Sequence, residues 1–255
     1  MQASRTKLDA DYIIGRCGSV WPHIQVLNEV GSTNDWVRQQ NTRSAVCLAE
    51  SQTQGRGRNG NSWLSPDAEN IYLSYNWVFE SAPRHLPLLS LRVGIAVAQV
   101  MQLFGVRDHG IKWPNDLYWQ HKKLGGILIE TSSASSEVIV GIGLNINASD
   151  IKGVDQPWAS LGEILNKKVD RNEFVVQLLS ILYRAMASFE VLQPEALLSS
   201  WAEWDLIKGK SVSFLHGGNQ HEGVARGIDH FGHLLVEVQP GQIRAFNTSI
   251  SKVRW

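Results

Sequence analysis

The 255-residue sequence predicts an α+β protein: a larger unit of strands and helices over residues 1–205, followed by a small β unit over 206–255. Three observations lead there. β-branched and aromatic runs at 24–28, 45–51, 70–78 and 137–143 alternate with stretches of helical periodicity. Residues 88–104 are apolar nearly all round, which suits a helix buried between layers. From about Leu206 the pattern changes to four or five short β-type runs, divided by Gly217-Gly218, Asp229, Gly232 and Pro240-Gly241, as in a small barrel.

Taken in order, Leu8, Tyr12 and Ile13 predict a short helix over 7–16, and IQVLN at 24–28 a strand. Ser32-Thr33-Asn34 offers turn and N-cap chemistry for a helix near 33–40. Strands follow at 45–51 and 70–78, with a loop over 52–68 between them. Short strands at 110–113, 117–119 and 124–130 surround turns, and the continuous apolar run EVIVGIG at 137–143 reads as a strand covered on both faces. Asp170 with Glu173 opens a helix whose stripe is Phe174, Leu178, Ile181, Leu182, Ala185 and Phe189. A second helix is expected over 194–203, and the β-type runs lie at 211–215, 222–228, 233–238, 242–246 and 249–253.

Composition narrows the function. Lysine plus arginine equals aspartate plus glutamate at 24 each, so the basic excess usual in a nucleic-acid-binding protein is missing. Only Cys17 and Cys47 occur, without metal-type spacing, which argues against a disulfide framework or a zinc site. The first twenty residues include Asp9 and Asp11 and lack a secretory apolar core; no run approaches a membrane span. A cytoplasmic protein without membrane contact is expected.

Four segments could carry chemistry. QTQGRGRNGNSW at 52–63 combines glycines, which let backbone approach a ligand, with Arg56 and Arg58, whose guanidinium groups suit phosphate oxygens. It lacks the Walker pattern, and a solvated glycine-arginine loop explains it equally well. Lys112 ends an apolar strand before Pro114-Asn115-Asp116; a buried ammonium there needs an anion, whereas a plain hairpin would turn it outward. Gly125-Gly126 and Gly141-x-Gly143 remove side chains where a ligand must fit or where a strand merely bends. Ser32 and Thr33 could hold a polar ligand group or simply cap a helix.

Together and in this order, the segments resemble the biotin protein ligases. The matching residues are Glu50, Gly55 to Arg58, Gly60 and Trp63; Lys112-Trp113-Pro114-Asn115-Asp116; Lys123 to Glu130; Gly141-x-Gly143-x-Asn145; and the Arg226 to Asp229 run. The resemblance implies a mixed sheet with flanking helices, as in class II synthetase-like folds, plus a C-terminal SH3-like barrel. It implies an ATP-dependent biotin–[acetyl-CoA-carboxylase] ligase, with biotin and ATP as substrates, Mg2+ as cofactor and a biotin carboxyl carrier protein as acceptor. Ser32, Thr33, Asn34, Gln52, Gly55, Gly125, Gly126, Gly141 and Gly143 would form the biotin pocket. Lys112 would touch the biotin carboxylate and the α-phosphate, acting with Arg56 and Arg58 in catalysis. Arg56, Arg58, Trp63, Asn115, Asn145, Trp158 and Arg254 would contact the nucleotide, while no metal ligand is assigned.

This chain departs from the family in carrying Asn59 and Asn61 where further loop arginines are common. It also begins where the DNA-binding domain of bifunctional members would end, so no direct nucleic-acid binding is expected, and a homodimer is left open. The rival readings are a lipoate or octanoate ligase-like transferase and a biotin-sensing regulatory module.

Overall fold

The computed structural model describes residues 6–67, 69–80, 86–131, 136–250 and 253–255. Eleven strands, among the described residues, form two sheets. The strands of the larger sheet are β1 (His23–Val30), β2 (Ala45–Gln52), β3 (Ile71–Val78), β4 (His109–Lys112), β5 (Asp116–Trp119), β6 (Lys122–Thr131) and β7 (Glu137–Leu144). Their order is β1-β2-β3-β7-β6-β5-β4. Only β1 and β2 run parallel and the remaining neighbours are antiparallel, so the sheet is mixed.

Side chains alternate between the faces of a strand, and here the alternation separates core from site. Leu73, Tyr75, Val140, Ile142, Ile111 and Leu117 face the main apolar core. Over that face lie α1 (Ala10–Cys17), α3 (Leu86–Leu103), α5 (Arg171–Ala187) and α6 (Pro194–Ala202). α3 packs against α5, α6, β4, β5 and β6, which is why its sequence is apolar all round. The opposite face carries α2 (Thr33–Arg38), whose Val37 joins Cys47 and Ile139 in a small second cluster.

Helix starts follow the local chemistry. Asp9 accepts from the Tyr12 amide, so α1 begins at Ala10 rather than residue 7. Asp170 accepts from the amides of Asn172 and Glu173, and Pro194 occupies the first turn of α6. A further helix, α4 (Leu161–Leu165), was not expected; five residues are too few to show a periodic stripe. Cys17 and Cys47 are both free and buried.

The second sheet contains β8 (Ser211–His216), β9 (Asn219–Ile228), β10 (Leu234–Gln239) and β11 (Gln242–Phe246), ordered β11-β10-β9-β8 and wholly antiparallel. Val212, Phe214, Ala225, Leu234, Val236 and Phe246 fill its inner side. This is consistent with an SH3-like unit. The fifth expected run, 249–253, includes residues 251 and 252 outside the described part; beyond it Arg254 pairs singly with Ser213.

Candidate active site

Strand register builds the site. Lys112 pairs with Asp116, Asp116 with Gly126, Gly126 with Gly143 and Gly143 with Tyr72. Directly paired residues share a face, so these five form one row across β4, β5, β6, β7 and β3. The next row is Leu128, Gly141 and Ser74, and beyond it Glu130, Ile139 and Asn76. A cavity of about 630 Å³ opens above the sheet, within the usual range for small-ligand sites; the bare glycines let the Trp63 ring lie against Gly143 and Gly126, and Asn34 against Gly141. The 52–66 loop, α2, the β4–β5 turn and residues 151–158 wall it.

At one end, the first turn of α2 meets the end of β2. The Thr33 amide donates to Gln52 Oε1 at 2.8 Å, and the Thr33 hydroxyl lies 2.7 Å from that of Ser74. Ser74 donates to Asn34 Oδ1 at 2.5 Å, and Asn34 Nδ2 donates to Glu130 at 2.6 Å. Gln52 Nε2 in turn donates to Ser65. Ser32, the N-cap, makes no side-chain cap bond although it is buried. The capping explanation therefore does not account for this turn, whose polar groups converge on the cavity instead.

The other end is cationic. Lys112 is 4% exposed, so the β4–β5 hairpin does not turn it outward. Its ammonium lies 5.2 Å above the Tyr118 ring. Lys123 stands 2.9 Å from Asp116 and 5.3 Å above the Trp63 ring. Arg58 donates to Asn115 Oδ1 at 3.0 Å and to the Thr248 carbonyl at 2.7 Å, joining loop, hairpin turn and C-terminal segment. Burial lowers its pKa, opposed by Asp116. Arg56 donates instead to Asp35 and Glu130. A site with hydrogen-bonding groups at one end, where the Glu130 carboxylate is matched by Arg38 and Arg56, and cations at the other suits a small polar head carrying an anionic tail.

Most of the expected residues meet here: Ser32, Thr33, Asn34, Gln52, Arg56, Arg58, Trp63, Lys112, Asn115, Gly126, Gly141, Gly143, Asn145 and Trp158 line the cavity. Three expected residues are placed elsewhere. Gly125 pairs with Leu144 on the core face, where a Cβ would meet the Leu144 side chain at 2.5 Å. Gly55 closes the base of the loop; a Cβ there would lie 2.4 Å from the Trp63 carbonyl. Arg254 is held by backbone bonds to Ser213 with its side chain outward, while Ile250 and Val253 reach the cavity wall. The sequence reading missed Lys123, Asp116, Ser74 and the 151–156 segment. Lys123 and Asp116 were legible as parts of their motifs, but Ser74 became visible only through register.

Magnesium was expected with the nucleotide. Among the described residues no group of three or more His, Cys, Asp or Glu gathers for a metal. The cavity does present the carboxylates of Asp116 and Asp155 and the amide of Asn145. Asp116 already pairs with Lys123 at 2.9 Å, so a magnesium ion here would take one or two protein oxygens at most and complete its shell with phosphates and water.

The arrangement suits an enzyme acting on a small molecule with an anionic tail, and similarity to known proteins makes the class, a ligase, specific. Residues 26–147 match the biotin/lipoate A/B protein ligase family. The chain is 36% identical over 248 residues to a bifunctional ligase/repressor of Salmonella typhimurium, covering 93% of this chain and 75% of that one. It is 34% identical over 238 residues to the biotin–[acetyl-CoA-carboxylase] ligase of Mycobacterium tuberculosis, covering 89% and 88%. In three dimensions it superposes on the biotin protein ligase from Aquifex aeolicus in complex with biotin and ATP with a TM-score of 0.81 and 28% identity, over 91% and 98% of the chains. The chain belongs to the biotin protein ligase family. No described helix is long and apolar enough to cross a membrane.

Proposed function

We propose that this enzyme joins biotin to ATP as biotinyl-5′-AMP and then transfers the biotinyl group to a lysine of a biotin carboxyl carrier protein. The observation that carries the reading is the row Lys112, Asp116, Gly126, Gly143, Tyr72 beneath the Arg56–Arg58 loop, with one cavity linking it to Thr33 and Gln52. In this reading residues 1–205 carry the chemistry and 206–255 close one wall.

The ureido head of biotin fits the end built from Thr33, Asn34, Gln52 and Ser74, which offers donors and acceptors in a largely buried setting. Its bicyclic body lies along the Trp63 ring that covers Gly143 and Gly126. Its carboxylate then points toward the cationic end. At neutral pH that carboxylate is already ionised. One of its oxygens attacks the α-phosphorus, the bond to the pyrophosphate oxygen breaks, and no base is required. What the protein must supply is charge and alignment. Lys112 holds two anions together and stabilises the charge that builds between them, with Arg58 beside it. Asp116, Asp155 and Asn145 are the oxygens available to a magnesium ion, which on binding neutralises phosphate charge.

Trp63, Trp158 and the loop cover the mixed anhydride, keeping water from the acyl carbon. The acceptor amine then attacks that carbon, AMP leaves with the bonding pair, and the amine loses a proton. Incubation with biotin, ATP, magnesium and a carrier domain should add one biotinyl mass to the carrier. Labelling of a lipoyl domain by lipoate instead would replace this reading with the lipoate-ligase one. Biotin binding without biotin-dependent pyrophosphate release would leave a sensor rather than an enzyme. Lys112→Ala should lower adenylate formation by about 100-fold or more, measured as single-turnover pyrophosphate release; a wild-type rate would remove Lys112 from its role.

A further inference from the structure

Arg56 and Arg58 are two residues apart but are anchored differently. Among the described residues Arg58 donates to neutral acceptors, Asn115 and the Thr248 carbonyl, with the Asp116 carboxylate acting on it through space rather than by a hydrogen bond. Arg56 faces two carboxylates: its guanidinium lies 2.6 and 2.8 Å from the oxygens of Asp35 and 3.3 Å from both oxygens of Glu130. Arg38 closes the same cluster, 2.7 Å from Asp35 and 2.9 Å from Glu130. Two guanidinium groups against two carboxylates are electrically balanced, so the Arg56 charge is already matched within the chain. Glu130 occupies this spot by register, paired with Ile139 one row beyond Gly141, and it also accepts from Asn34 in the wall of the biotin end.

We infer that Arg56 is a positioning residue that latches the loop onto Asp35 and Glu130, leaving Arg58 and Lys112 to face the polyphosphate. The inference rests on the proposed adenylate-forming reading and revises the phosphate role expected of Arg56. The cluster sits at the cavity rim, with side-chain exposures of 37% for Arg56, 36% for Asp35 and 27% for Glu130. Partly exposed ion pairs hold weakly. That suits a cover which must open in each cycle to admit an acceptor lysine.

The test compares Arg56→Ala, the double variant Asp35→Asn/Glu130→Gln and the triple variant. Two quantities are read: tryptic cleavage after Arg58 in the ligand-free protein, and dissociation of preformed labelled biotinyl-adenylate. Both should rise about three- to tenfold in Arg56→Ala and in the double variant, and the triple variant should be no faster than either. The single-turnover rate of adenylate formation at saturating biotin and ATP should fall far less than the about 100-fold expected on losing a direct phosphate contact. A loss of formation of about 100-fold in Arg56→Ala, with the double variant unaffected, would overturn the latch in favour of direct phosphate contact. Unchanged cleavage in the double variant would overturn it as well. If the double variant fails to fold, Asp35→Asn alone, at a half-exposed site, gives the same comparison. If the wild type forms no adenylate, the proposed function fails, while the cleavage comparison still decides the latch.

Discussion

Gly141→Ala probes the biotin end of the site with one methyl group. Gly141 lies on the cavity face of β7, and a Cβ built there falls 2.3 Å from Asn34 Oδ1, 3.1 Å from its Cγ and 3.2 Å from its Nδ2. Asn34 has little freedom to yield. It is 4% exposed, accepts from Ser74 at 2.5 Å and donates to Glu130 at 2.6 Å. Moving it aside costs about 1–3 kcal/mol in overpacking and about 1–3 kcal/mol for the buried polar groups it abandons. Together these come to roughly 4 kcal/mol, which for a chain of this size lowers Tm by about 8–16 °C. Thermal unfolding followed by circular dichroism measures the shift, and biotin titration should show weaker binding. Gly15→Ala is the internal control: it lies on the exposed side of α1 with nothing within 4 Å of its Cβ, so it should be neutral or stabilising by about 0.5–1 kcal/mol. A Gly141→Ala protein within about 1 kcal/mol of wild type would refute the packing argument.

Other consequences follow from the same contacts. Arg171→Ala leaves the Glu50 carboxylate buried without the cation now 2.8 Å away; urea denaturation should show a loss of about 3–5 kcal/mol, and an unchanged midpoint would contradict the burial. Burial pushes the Cys47 thiol up to about 12, so it should resist a thiol reagent at about pH 8 until the protein unfolds; rapid labelling of the native protein would count against it. The hydrogen bond from Arg56 holds the Asp35 carboxyl below its ordinary value. For Glu130, burial pushes upward, but the bond from Asn34 and the charges of Arg56 and Arg38 outweigh it. Because both folded-state values are depressed, their stabilisation is present above the ordinary carboxylate range and is lost as pH falls through the folded values. Tryptic-type cleavage in the loop, followed with an acid-tolerant protease, should therefore be flat near neutrality and accelerate below about pH 4; acceleration between pH 5 and 7 would implicate other groups.

How far the site could be read in advance differs from residue to residue. Lys112 stood out because an ammonium between Ile111 and Trp113 has no cheap place in a core, and it proves buried. Gly141 and Gly143 stood out because they interrupt an apolar strand. Arg56 was legible as a charge near the ligand but not as a charge already matched, since Asp35 and Glu130 are 21 and 74 residues away along the chain. Gly125 and Gly126 looked alike, yet adjacent residues of a strand point to opposite faces: Gly126 floors the cavity and Gly125 packs against Leu144. Ser74 had no signal of its own in an ordinary aromatic strand.

Local chemistry in the sequence determined where helices begin, which runs are strands, where the β-rich C-terminal part starts and which glycines and cations bear on function. Those features depend on neighbours a few residues apart, through caps, turns and alternation. Register decided the rest. Pairing Lys112 with Asp116, Asp116 with Gly126 and Gly126 with Gly143 aligns four strands on one face, and a slip of one residue would have turned every one of those side chains into the core. That choice is made by packing of the whole apolar face against α3 and α5, which no short stretch of sequence contains.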